Sequence, residues 1–248
     1  MKYDLMLIGP ATRDINIDYT GQEVREIGGA VFFCAYAAAA ASANLFASVK
    51  IHPDDTDVLD AFHLDSDHIA VLPAQCTTLM QNTYFTADRE RRKAECLAQS
   101  DAITPDQIPD VDCGLYHLAG LLYGDFPNEL IPALSKKGKV SADIQGFLRH
   151  NENGLMNFHD WKDKLTYLPY FDFLKTDAAE AEILTGLSGR TGRGDTTFGA
   201  YLAKRMMGVS IPDALLFATA AVSLKMETPG PLQGPEQAVL DYIKEFYA

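Results

Sequence analysis

The stretch GRTGRGDTTFGAYLAKR, residues 189–205, gathers glycines around one carboxylate immediately before a run of helix formers. Gly192 and Gly194 allow the backbone to approach an anion closely. A helix expected from Thr196 onward would aim its free N–H groups and positive dipole end at the same point. Asp195 beside such an anion hole is unsuited to holding phosphate, because like charges repel, but it can accept the proton of a hydroxyl that attacks phosphorus. The combination describes phosphoryl transfer to an alcohol. The same spacing also suits a plain helix cap at Asp195, with Thr196 and Thr197 in the first turn. No Gly-Lys-Ser/Thr follows, so this is not a Walker loop.

Chemistry of this kind needs elements that present an acceptor. Residues 3–9, YDLMLIG, form an apolar run ending in glycine, as a strand buried on both faces of a parallel sheet does. Residues 28–43 open with two glycines and continue as helix formers, whereas 75–90, QCTTLMQNTYFTADRE, mixes Thr, Tyr and Phe with polar residues like a half-exposed strand pair that could serve as a lid. From residue 111, strand and helix patterns alternate through GLYHLAG, PNELIPALSKKG, KVSADIQG, YFDFLKTD and AAEAEILTG. That order implies a right-handed parallel α/β sheet, whose ligands sit beyond the carboxyl ends of the strands. Asp14, Asn16, Asp143, Gln145, Lys175 and Asp177 are therefore site candidates on topology, and each is equally open to reading as a helix cap.

The 248 residues, 47% hydrophobic, suffice for one α/β domain with a small appendage and exclude a disordered chain. A net charge of −13 argues against nucleic acid as a partner, since phosphate-backbone binding needs clustered Lys and Arg. The N-terminus reads as a first strand and not as a signal peptide. The most apolar stretch, AVFFCAYAAAAASANLFASV, carries Tyr36, Asn44 and two serines and reads as a packed internal helix, so no membrane is expected. Cys34, Cys76, Cys96 and Cys113 are scattered without a CxxC pair, which predicts free thiols and a cytoplasmic protein. A dinucleotide-binding enzyme fails for want of GxGxxG after the first strand.

GRGDTTFGAYL resembles the C-terminal signature of the ribokinase-like carbohydrate kinases, the PfkB family. The paired glycines of REIGGAVFFCAYAAAA fall where that family has its N-terminal Gly-Gly signature, and FLKTDAAEAEILTG is similar to its strand followed by Asn-x-x-Glu. The order and approximate spacing of all three fit over nearly the whole chain. The resemblance implies one ribokinase-like domain over 1–248: three α/β/α layers, a mostly parallel central sheet, and a small β lid from segments near 11–30 and 73–95. It implies ATP-dependent phosphorylation of a hydroxyl on a sugar, cyclitol or nucleoside, with Mg²⁺.

Carried over by position, Asp195 would be the base, and the backbone of Gly192, Arg193 and Gly194 would hold the transferring group. Asp177, where the family usually has asparagine, and Glu180 would organise the metal through water. Lys175, Asp177, Thr191, Gly192, Gly194, Thr228 and Gly230 would lie along the nucleotide. Asp14, Asn16, Gly28 and Gly29 from the first segment, with Asn82, Tyr84 and Arg91 from the lid, would contact the acceptor. Arg91 and Arg92 are equally open to reading as surface charges, and Arg13 and Arg25 keep a phosphorylated sugar open beside a neutral polyol. Leu79, Tyr84 and Phe85 would offer the lid as a homodimer interface.

Two departures stand out. Arg193 replaces the small residue usual between the last two glycines. Only four residues separate Gly186 from Thr191, where the family places a helix and several strands carrying much of its nucleotide pocket, although one parallel crossover alone needs about a dozen residues. A non-catalytic sugar-binding protein with a degenerate nucleotide site is accordingly the alternative.

Overall fold

Alternate residues of the first strand serve two different cores. The computed structural model describes residues 3–41, 43–89, 91–185, 193–227 and 232–247, which fall into two units, Met1–Gly186 and Leu187–Ala248. In β1 (Tyr3–Pro10), Met6 and Ile8 point into one apolar cluster while Leu7 points into another. The period of two in a strand thus requires helices on both faces. The chain continues through β2 (Thr12–Ile17), β3 (Glu23–Gly28), α1 (Ala30–Ala40), β4 (Leu45–Ile51), α2 (Thr56–Asp60), β5 (Ile69–Pro73), β6 (Thr78–Tyr84) and β7 (Arg92–Ala98). Then come β8 (Cys113–Leu118), α3 (Leu130–Ser135), β9 (Lys139–Asp143), α4 (Gln145–Leu148), β10 (Arg149–Glu152), β11 (Leu155–Phe158), α5 (Lys164–Tyr167), β12 (Phe173–Lys175) and α6 (Ala178–Thr185).

The central sheet runs β12-β9-β8-β1-β4-β5, and every pairing in it is parallel. One cluster joins Val31 and Ala35 of α1 to Leu7, Ala47 and Val49. The other joins Leu130, Ile131 and Leu134 of α3 to Met6, Ile8, Tyr116 and Val140. This is the expected three-layer α/β/α arrangement. The long apolar stretch departs from the single helix expected of it. Its Ala-rich part is α1, and LFASVKI then forms β4, buried at all seven positions, because an aromatic and β-branched run suits the middle of a parallel sheet better than another helical turn.

A second sheet has the order β10-β11-β7-β6-β2-β3, antiparallel except between β2 and β6. The strand pair expected within 75–90 is shifted outward, its second strand lying at 92–98. The β10–β11 hairpin joins this sheet through Leu155 opposite Glu95. Asn153 and Gly154, with φ of 54° and 92°, make its turn, the positive-φ pair that a tight hairpin demands.

The second unit holds α7 (Arg193–Met206), α8 (Ile211–Met226) and α9 (Glu236–Phe246), packed around Ala220, Ala221, Val239 and Phe217. Ser210 caps α8 by accepting from the Asp213 amide at 3.2 Å. Helix α7 begins at Arg193, three residues before the expected Thr196, which places Asp195 in its first turn. Among the described residues, no helix is long and apolar enough to cross a membrane. All four cysteines are free thiols; Cys96 and Cys113 are buried, Cys34 and Cys76 half-buried.

Candidate active site

The acceptor candidates come together through strand register. Thr12, Asp14 and Asn16 alternate along β2 and so share a face; Thr12 lies opposite Gly28 and Asn16 opposite Asn82. Asn82 donates through Nδ2 to Asn16 Oδ1 at 3.1 Å, and Asn16 donates to Glu26 Oε2 at 2.7 Å. The Thr12 hydroxyl donates to Asp14 Oδ1 at 2.6 Å. Burial raises the Asp14 pKa, opposed mainly by that hydroxyl. The two glycines leave room for this arrangement. A Cβ on Gly28 would stand 2.3 Å from Asp14 Oδ2, and Gly29 adopts φ of 97° where a Cβ would meet the Pro10 carbonyl at 2.6 Å. Thr12, Asp14, Gly29, Met80 and Asn82 line a cavity of about 220 Å³.

Lys175 closes on Asp143 at 3.0 Å at the carboxyl ends of β12 and β9, where Asp143 also accepts from the Gln145 amide at 3.2 Å. The Lys175 ammonium loses hydration there, but the Asp143 hydrogen bond and charge outweigh that loss and raise its pKa. Asp177 and Glu180 form a reciprocal capping box at the start of α6: the Asp177 amide donates to Glu180 Oε2 and the Glu180 amide to Asp177 Oδ1, both at 2.8 Å. One oxygen of each carboxylate is thereby used. Burial raises the Glu180 pKa. Both residues line a second cavity of about 480 Å³, together with Arg92, Gln145 and Arg149.

This donor set fits Mg²⁺ held by a phosphate ligand and waters, with Asp177 and Glu180 supplying hard oxygens from outside. No group of three or more His, Cys, Asp or Glu among the described residues is placed to cage a metal.

Several expected contacts lie elsewhere. Arg91 is exposed beside Phe85 and Thr86 in a separate cavity, because it precedes β7 at the outer end of the sheet. The Tyr84 ring stacks under Arg89, 5.3 Å from its guanidinium, and lines neither cavity that holds Arg149. Leu79 and Tyr84 sit at odd and even positions of β6 and face opposite sides. Arg13 is tied to Asp55 at 3.0 Å and Asp57 at 2.6 Å, and Arg25 to Glu23 at 2.8 Å, and both arginines line a further cavity with Asp14 and Glu26. Arg193, Gly194 and Asp195 form the first turn of α7, whereas Thr191, Gly192, Thr228 and Gly230 lie outside the described residues.

Sequence reasoning missed Arg149. It follows α4 directly and opens a hairpin of mostly polar residues, RHNE and LMNF, which carries little apolar alternation. The signal that could have found it is the Asn153–Gly154 pair.

No family model matches the chain, and no curated protein matches it. Solved structures do. A pyrophosphate-dependent kinase in the ribokinase family, complexed with a pyrophosphate analog and myo-inositol, is 28% identical over 96% of this chain and 99% of its own, with a TM-score of 0.67. A pyrophosphate-dependent myo-inositol-1 kinase converted into a myo-inositol-3 kinase by two substitutions is 26% identical over 98% of this chain and 100% of its own, at a TM-score of 0.65. Arabidopsis thaliana ribokinase with ribose and ATP is 15% identical over 98% and 99%, at 0.53, a likeness of fold. With its signature segments in family order, the chain has a ribokinase-like fold, and its likeness to kinases of that family, phosphotransferases with an alcohol as acceptor, runs almost end to end.

Proposed function

We propose that this protein transfers a phosphoryl group from a phosphoanhydride to a hydroxyl of a neutral cyclitol, and that inorganic pyrophosphate is preferred to ATP as donor. The observation that carries the acceptor is the shared face of Thr12, Asp14, Asn16 and Asn82, a row of donors and acceptors suited to vicinal hydroxyls. The pairing of Arg13 and Arg25 with carboxylates favours an unphosphorylated polyol. The donor assignment rests on the four residues between Gly186 and Thr191, too few for the family's nucleotide wall, since pyrophosphate needs no adenine pocket. The likeness to pyrophosphate-dependent kinases supports it.

In this reading Asp195 takes the proton of the attacking hydroxyl, and the Gly192–Gly194 backbone receives charge on the transferring group. Asp177 and Glu180 would hold Mg²⁺ through water, and the ion would supply positive charge to offset that of the donor phosphates. Asp14 and Asn82 orient the acceptor so that one hydroxyl leads.

Calorimetric titration with myo-inositol, Mg²⁺-pyrophosphate and Mg²⁺-ATP separates the readings. Saturable binding of myo-inositol and pyrophosphate is expected. ATP bound in place of pyrophosphate would return the donor to a nucleotide, and myo-inositol bound with neither donor would make this a sugar-binding protein.

A further inference from the structure

Arg149 is 8% exposed, and its side chain lines both the acceptor cavity with Asp14 and the cavity with Asp177 and Glu180. Arg92 and Gln145 are the other residues common to the two cavities. Among the described residues, neither Arg149 nor Arg92 has an ion pair or a side-chain hydrogen bond, whereas Arg13, Arg25, Lys50, Lys93 and Lys175 are each matched to a carboxylate. A guanidinium carries five donors and is costly to bury unpaired. Burial, then the charge of Arg92, lowers the Arg149 pKa; Asp14 and Glu180 oppose this at a distance without bonding to it. Two cations facing one opening, one of them buried and unsatisfied, call for an anion between them. Phosphate oxygens match a guanidinium in bidentate geometry.

We propose that Arg149, assisted by Arg92, forms a phosphate subsite at the seam of the two cavities and grips the phosphoryl group in transfer. This rests on the phosphoryl-transfer reading above. The acceptor oxygen forms its bond to phosphorus as the bridging P–O bond of the donor breaks. The bridging electron pair leaves with the departing phosphate, and the acceptor proton passes to the general base. Arg149 contributes where charge accumulates, on the non-bridging oxygens.

The test compares wild type with R149Q, R149K and R92Q, using pyrophosphate and myo-inositol as substrates and melting temperature as a fold control. R149Q is expected to lower kcat by about 10²- to 10³-fold and to raise the KM for pyrophosphate, with the dissociation constant for myo-inositol unchanged. R149K should recover part of the loss, R92Q should show a smaller loss of the same kind, and added guanidinium should partly rescue R149A. Unchanged kcat and pyrophosphate KM in folded R149Q, or a rise confined to the KM for myo-inositol, would overturn the assignment. If wild type shows no turnover with any donor, the functional reading fails, and titration with inorganic phosphate and pyrophosphate then decides the subsite. Saturable binding lost in R149Q upholds it, and no binding to wild type removes it.

Discussion

At the scale of single residues, the site surrounds itself with groups whose ionisation is set by burial. Asp125 is the clearest case: fully buried, it accepts from the Leu121 and Leu122 amides at 2.8 and 2.9 Å, fixing the loop that brings Leu121 to the acceptor cavity. Burial outweighs those bonds and pushes its pKa up to about 6. The folded protein therefore binds the Asp125 proton more tightly than the unfolded chain, whose carboxyl titrates near 3.9. Stability from this group is complete below about pH 4 and is lost as pH rises to about 6, an effect on the order of 3 kcal/mol. Denaturant unfolding of wild type and D125N at pH 4 and pH 7 checks it. The variant should gain on wild type by about that amount at pH 7 relative to pH 4, and an identical difference at both pH values would refute the assignment. The residues that act by packing and hydrogen bonding were legible to different degrees. Asp14, Asn16 and Asn82 follow from spacing and resemblance. Arg149 does not, because its place between the two cavities depends on where a short hairpin folds.

At the scale of elements, a buried lysine ties the end of β5 to the chain that follows β7. Lys50 of β4 is fully buried and donates to the Pro73 carbonyl at 2.9 Å, Asp101 Oδ2 at 2.8 Å and Gln107 Oε1 at 3.1 Å. The Gln75 amide donates to Asp101 Oδ1 at 2.9 Å. These contacts bracket the chain where it leaves β5 for β6 and where it returns after β7. K50M removes the shared donor and strands acceptors; because Asp101 is half-exposed and can rehydrate, the cost is about 2 kcal/mol and not that of a wholly buried pair. A lower melting temperature with a raised KM for the acceptor is expected; an unchanged melting temperature would remove Lys50 from this role. The parallel strands β1, β8 and β9 were legible as apolar runs bounded by turn residues. Strand β4 was hidden behind the alanines of α1, since composition alone does not mark where a buried helix gives way to a buried strand. The β10–β11 hairpin was hidden by its polarity.

At the scale of the whole molecule, the central sheet supplies the carboxyl-end cluster of Asp143, Lys175, Asp177 and Glu180, and the second sheet supplies the polar face proposed for the acceptor. Both lie in the unit that ends at Gly186. The glycine turn and Asp195 come from the other side of the short connection, and their roles rest on the family signature. The proposed donor, pyrophosphate, would reconcile that shortness with a working kinase, because a donor without a base asks only for phosphate ligands. The most direct measurement is phosphorus NMR of wild type and D195N incubated with Mg²⁺, pyrophosphate and myo-inositol. Wild type is expected to yield equal amounts of inositol phosphate and orthophosphate, and D195N at least a thousandfold less while still binding myo-inositol. Pyrophosphate left intact by wild type, or turnover by D195N at the wild-type rate, would overturn the proposed transfer.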